Sequence, residues 1–220
     1  MNLLFWGCAL PSIAVFVIGF TGFFGGFAIM IAVAAAFPIG GAYSACAFCV
    51  TKMLRDEPRD LRYDFARKLR ENIKAAALPG IMVAAFVYTQ IFMWGFILFG
   101  DGGTGVGWVA VGLVSLLIVW MTAPYVFLQI AYLDLSVPQV LRNSALITLA
   151  NAPRSFMGML AGASVWLAFI LFLPGSLIFA PLIFLFALPL SWLSVFMWIW
   201  PPVDKQFAID ETLRKRRSEN

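Results

Sequence analysis

From Leu3 to Thr51 this chain carries no charged residue. A run of that length is too greasy for a hydrated loop. A membrane-spanning helix needs about 20 apolar residues. The run therefore suits two spans, 3–20 and 25–51, turned at Thr21-Gly22-Phe23-Phe24-Gly25-Gly26. The other solution is one long tilted span over 3–37, which would leave five passes and put the N-terminus on the far side. Inside the second span, Pro38-Ile39-Gly40-Gly41 should kink or break the helix. Proline has no N–H to give and crowds the carbonyl four residues back.

Lipid as solvent also explains the composition. Apolar residues make up 62% of the chain and charged residues 12%, against about 45–50% and 25% in a soluble domain. The 220 residues suit one membrane domain, 1–220, without room for a large extramembrane module. The opening Met1-Asn2-Leu3-Leu4-Phe5-Trp6 lacks the positively charged start of a cleavable signal, so the first segment is expected to stay as a membrane helix.

Four more apolar stretches follow, at 75–99, 108–132, 155–173 and 177–200, with a polar tail over 201–220. The expected fold is all-α: a polytopic bundle of about six transmembrane helices with short cytoplasmic amphipathic helices. Orientation follows from the cations, which concentrate on the cytoplasmic side. Eight lie between Lys52 and Lys74, two are Arg142 and Arg154, and five lie in the tail, from Lys205 to Arg217, which accounts for all 15. The opposite side holds only Asp101, in the turn Gly100-Asp101-Gly102-Gly103-Thr104-Gly105. With six spans, both termini are then expected on the cytoplasmic side.

Each hairpin's second helix contains a proline (Pro38, Pro124, Pro189), and each following polar segment has another (Pro58, Pro138, Pro201). Ala66 to Asn72 also resembles Ala145 to Asn151. Repeated hairpin-plus-surface-helix units would explain this, and so would the ordinary abundance of proline in membrane helices. In Asp60 to Lys74, Leu61, Phe65, Leu69 and Ile73 recur every four residues, and Arg62, Arg67, Lys68 and Arg70 take the other faces. This predicts an amphipathic helix in the interface, its cations toward anionic headgroups or toward a partner protein. Val137, Leu141, Ala145 and Leu149 repeat the spacing after an N-cap at Ser136.

Chemistry-bearing residues are few. There is no histidine, hence neither the commonest general base nor the commonest transition-metal ligand. Cys46-Ala47-Phe48-Cys49 matches a redox spacing, but it sits in a span beside Ala42 and Ala45, where small-residue packing accounts for it. Zinc would want about four ligands. No phosphate-binding glycine loop, cofactor motif or nucleic-acid-binding pattern is present. Gln90 and Gln129 either bond between helices or line a small polar cavity. Ala32, Ala36 and Gly40 in the second span, and Gly158 with Gly162 in the fifth, make small-residue stripes for close helix packing. Trp94, Trp108, Trp198 and Trp200 read as interfacial anchors.

Several short motifs resemble the YesL-like family of bacterial membrane proteins. They are Asn2-Leu3-Leu4-Phe5-Trp6 with Pro11, and Pro38-Ile39-Gly40-Gly41-Ala42 leading into Val50-Thr51-Lys52-Met53-Leu54-Arg55-Asp56-Glu57-Pro58. They continue in Asp64-Phe65 through Leu69-Arg70-Glu71-Asn72, in Arg142-Asn143-Ser144-Ala145-Leu146 and in Ala150-Asn151-Ala152-Pro153. Members of that family are often encoded beside carbohydrate ABC importers and glycan-degrading enzymes. What the resemblance implies is a non-enzymatic accessory subunit or assembly factor of a sugar importer, with membrane lipids and importer subunits as partners. A small solute transporter or channel is the rival expectation. The resemblance brings no catalytic residues and no cofactor.

Overall fold

The computed structural model describes residues 2–21, 25–57, 60–99, 106–172, 180–209 and 211. Among them every regular element is a helix: α1 (Asn2–Thr21), α2 (Gly25–Ala35), α3 (Phe37–Leu54), α4 (Leu61–Phe99), α5 (Val106–Tyr132), α6 (Val137–Ala150), α7 (Ala152–Phe172) and α8 (Ala180–Phe207). The expected turns at 22–24, 100–105 and 174–175, Pro58, and the basic tail at 214–217 lie outside the described residues.

By length and apolar composition, α4, α5 and α8 can each cross a membrane, and α2 with α3 makes a fourth if the bent pair is one span. The bend is 41° and falls at Ala36. Its cause is local. With no N–H at Pro38, the chain tightens before it: the Ala36 N–H bonds the Val33 carbonyl, at 3.2 Å, instead of reaching back one residue further. The Ala32 carbonyl this frees accepts the Ser12 hydroxyl at 2.6 Å, and Ser12 is paired in turn with the Tyr88 hydroxyl. A broken helix in an apolar medium needs such a substitute partner.

α3 is the centre of the molecule. Ala42, Ala45, Cys46, Ala47, Cys49 and Val50 are all buried, and α3 packs on α4, α5, α8 and α1. Beyond the bend, α2 packs on α1 and α4. The small residues of α3 let α4 come very close. A Cβ added at Gly80 would lie 2.6 Å from the Cα and N of Gly40, so the two backbones touch.

Three sequence expectations need correcting. The surface helix at 60–74 and the span at 75–99 are one helix of 39 residues, α4, about 58 Å long. That is nearly twice the roughly 30 Å hydrocarbon core. No helix breaker lies between Leu61 and Leu78, and Pro79 is carried inside the helix. The chain past Trp200 is not yet tail: α8 continues through Pro201 and Pro202 to Phe207, and Ile209 is buried in the core. On α6 the buried stripe is Val140, Ser144, Ile147 and Thr148, while Ala145 and Leu149 are exposed. Pattern alone missed it because two of its members are hydroxyls. Both are satisfied, Ser144 by the Gln129 amide and Thr148 by the Ser144 carbonyl. The start of α6 is as expected: Ser136 donates its backbone N–H and its hydroxyl to Gln139 Oε1.

Candidate functional site

The charged residues of the described chain gather where α3 ends and α4 begins. Lys52 Nζ lies 2.6 Å from Asp64 Oδ2, with the two side chains only 16% and 6% exposed. Arg67 Nη2 is 3.5 Å from the other Asp64 oxygen. The Asp60 carboxylate accepts the backbone N–H groups of Arg62 and Tyr63, capping α4. The reversal between the helices passes through Asp56 at φ 50, a left-handed conformation that a short polar side chain tolerates.

Beside this pair, the Arg55 guanidinium lies against two rings that touch each other, 5.3 Å from the centre of Tyr132 and 5.1 Å from that of Trp200. Its Nη2 donates to the Tyr132 hydroxyl at 3.0 Å, and its Nε is 3.3 Å from Glu57. The same Tyr132 hydroxyl shares a 2.7 Å hydrogen bond with Thr51. Trp200 is therefore not an interfacial anchor: it is buried against a cation, and the knot ties the ends of α3, α5 and α8 together. Trp108 and Trp198 are exposed, as anchors would be.

The stripe Leu61, Phe65, Leu69 and Ile73 turns inward onto the protein's own core. Phe65 is fully buried, Leu61 and Leu69 pack on the same cluster, and Leu69 with Ile73 faces Gly41 of α3. What remains outside is rich in cations, with Tyr63 and Glu71 exposed among them. Arg62, Arg67, Arg70 and Lys74 are exposed on one side of α4. Arg67 is engaged with Asp64, Glu71 and the Tyr63 ring. Lys68 is half-buried, 2.8 Å from Glu71 and over the Phe48 ring. Among the described residues, Arg62 and Arg70 make no ion pair.

The two glutamines are not brought together. Gln90 donates from Nε2 to Ser115 at 2.8 Å and accepts the Trp94 indole N–H at 3.1 Å, linking α4 to α5. Gln129 donates to Ser144 at 2.8 Å, linking α5 to α6. Ser115 and Gln129 are about 21 Å apart along α5, and neither glutamine lines the cavity described below. Gly158 and Gly162 face α8, against Trp198, Val195, Ile199 and Ser191. Cys46 and Cys49 are buried free thiols. Among the described residues no three His, Cys, Asp or Glu side chains are grouped to hold a metal.

Sequence reasoning missed Asp64, Arg55, Tyr132, Trp200 and Gly80. One signal was available for Asp64. It is the lone acid on the inner side of a helix whose outer side is cationic, and a lysine stands just across the turn. Gly80 lies within the expected span at 75–99.

Comparison of the chain with protein-family models, curated proteins and solved structures finds no match.

Proposed function

We propose that this chain is a non-catalytic, six-pass protein of the bacterial cytoplasmic membrane, with both termini inside. It would serve as an accessory subunit or assembly factor that holds out the N-terminal end of α4 to a partner. The importer identity of that partner, a carbohydrate ABC importer, rests on the YesL-like motifs. Six passes are supported by the packing order: α3 runs antiparallel to α4, as does α4 to α5 and α7 to α8. Lys52–Lys74, Arg142 and Arg154 fall at one end of this arrangement.

A single observation carries the docking role. The apolar stripe that would let residues 61–74 lie flat in the headgroups is taken up by α3 and the core. A surface helix binds lipid through that face. With it occupied, the helix stands out along the axis of its own membrane span, and Arg62 and Arg70 point away from the bundle. Arginine engages carboxylates through a planar two-pronged geometry that lysine lacks. The chemistry favoured is therefore an acidic protein surface. A solute path is less well supported, since Gln90 and Gln129 lie apart and neither lines the cavity among α4, α5, α7 and α8.

The test is affinity purification of the full chain from native membranes in mild detergent, with Arg62 and Arg70 both changed to Lys. Net charge is kept and neither residue supports the fold. Importer subunits should co-purify with the parent chain and fall several-fold with the double variant. Full retention by the double variant would end the arginine-docking idea, and absence of importer subunits from the parent eluate would end the importer reading. Labelling of Asp101→Cys and Arg67→Cys from the same side of the membrane would overturn the topology.

A further inference from the structure

A cavity of about 250 Å³ lies among α4, α5, α7 and α8, with Tyr43 of α3 also lining it. Phe86, Trp120, Trp166, Trp192 and Val195 are among the residues of its wall. The lining residues that carry polar side-chain atoms are Tyr43, Ser191 and the three tryptophans. Val87 and Trp120 line it and are also 42% and 37% exposed on the outside of the bundle. The cavity therefore reaches the surface that faces lipid.

Depth and charge name the occupant. Trp166 stands 12 residues above Arg154 on α7, about 18 Å, and half of the hydrocarbon core is about 15 Å. The cavity thus extends to near the midplane at Trp166, while Pro124 and Val195 line it closer to the level of Arg154. At the foot of the same wall, Ser155 shares a 2.9 Å hydrogen bond with the Tyr125 hydroxyl, and Tyr125 follows Pro124, which lines the cavity. Arg154, next to Ser155, is exposed and makes no ion pair among the described residues. A cation at headgroup level below an aromatic slot that opens sideways into lipid matches one ligand shape: a phosphate with a hydrocarbon chain. We propose that the cavity is a binding site for one acyl chain of an anionic phospholipid from the cytoplasmic leaflet, its phosphate held by Arg154. This does not depend on the partner-docking role of α4.

Trp192 makes the site testable. It is buried from the surrounding lipid yet lines the cavity, so a quencher carried on an acyl chain reaches it only by entering. The full chain is reconstituted in vesicles containing phospholipid brominated near mid-chain, and the fluorescence lost is compared with that of Trp192→Phe. The parent should lose more, the difference being the Trp192 contribution. Ala123→Phe, which fills the cavity from α5, should remove that difference. Val87→Phe, which narrows the mouth from α4, should do so if the first variant fails to fold. Brominated phosphatidylglycerol should quench Trp192 at roughly five-fold lower mole fraction than brominated phosphatidylcholine, from the attraction of one cation for anionic lipid, and Arg154→Gln should erase that preference. No quenching of Trp192 in the parent, or quenching that survives both filling variants, overturns the chain site. Quenching without headgroup preference overturns the role of Arg154. Quenching of Trp192 by water-soluble acrylamide would assign the cavity to a solute instead.

Discussion

Two hairpins in this molecule are held by glycines, and they are held differently. Between α3 and α4, Gly40 and Gly80 bring backbone against backbone. Between α7 and α8, Gly158 and Gly162 accept side chains, chiefly those of Val195 and Trp198. Neighbours at ordinary packing distance can give slightly, and two backbones already in contact cannot. The first contact is therefore a fixed point and the second an adjustable fit. The fixed point also sits one end away from the ion pair and the Arg55 knot, so α3 and α4 are set in both spacing and register. Nothing comparable is described between α7 and α8. A hairpin that must hold a charged helix end at a constant angle has reason to be built the first way.

The largest effect expected is at the fixed point. Gly80→Ala puts a carbon 2.6 Å from two backbone atoms of Gly40, where carbon atoms rest at about 3.5–4.0 Å. The helices must part by about 1 Å along a buried seam, which belongs at or above the upper end of overpacking costs, about 3 kcal/mol. Gly80→Ala should thus lower thermal stability in detergent sharply or abolish folded protein, and Gly40→Ala should do the same. Stability like that of the parent would mean the seam is looser than the backbone contact implies.

The ion pair should come next. Asp64→Ala leaves Lys52 without its partner in a site where its side chain is 16% exposed. Breaking a fully buried pair costs about 3–5 kcal/mol. The partial exposure of Lys52 brings the expected loss to about 2–3 kcal/mol. Replacing both, Lys52→Met with Asp64→Leu, should recover most of it, because apolar groups of similar size can substitute for a buried pair. The measurement is a double-mutant cycle on thermal unfolding. If the double variant is no more stable than Asp64→Ala, the pair does more than satisfy itself, and a role in orienting Arg67 on the docking face would be the first thing to examine.

How much of this was legible depends on what kind of force acts. The helical class and the long apolar helices follow from solvent transfer, which composition reports directly. The break before Pro38 follows from one missing N–H. The small-residue face of Ala32, Ala36 and Gly40 was visible because close packing needs small residues. Its partner at Gly80 was not, since one stripe does not say which helix meets it. The stripe from Leu61 to Ile73 shows the limit most clearly. Its periodicity is real, but period alone cannot say whether lipid or protein covers it. That distinction arises only when Gly41 is brought against Leu69 and Ile73, residues far from it in the chain. The Arg55 knot is of the same kind, joining positions 55, 132 and 200 with no pattern among them. For α6 a rule of apolar spacing pointed to the wrong face, because Ser144 and Thr148 are buried with their hydroxyls satisfied.

The smallest effect should separate the two glycines of the adjustable hairpin from each other. At Gly158 an added methyl meets the Trp198 Cβ at 3.3 Å and the Val195 carbonyl at 3.4 Å, tight but within reach of a slight shift. Replacing glycine by alanine inside a helix also gains roughly 0.5–1 kcal/mol from backbone entropy. The two terms nearly cancel, so Gly158→Ala should leave stability close to that of the parent. At Gly162 the methyl would lie 2.6 Å from Val195 Cγ2. Valine is stiff about χ1 in a helix, with one strongly preferred rotamer, so its methyl cannot simply swing aside. Gly162→Ala should therefore lose about 1 kcal/mol, at the low end of overpacking. Pairing it with Val195→Ala should restore fit at that point, since the clashing methyl is gone. Thermal unfolding of the two single variants and the pair decides it. Should Gly162→Ala prove as damaging as Gly80→Ala, the α7–α8 seam is a second fixed point, and the contrast between the hairpins fails.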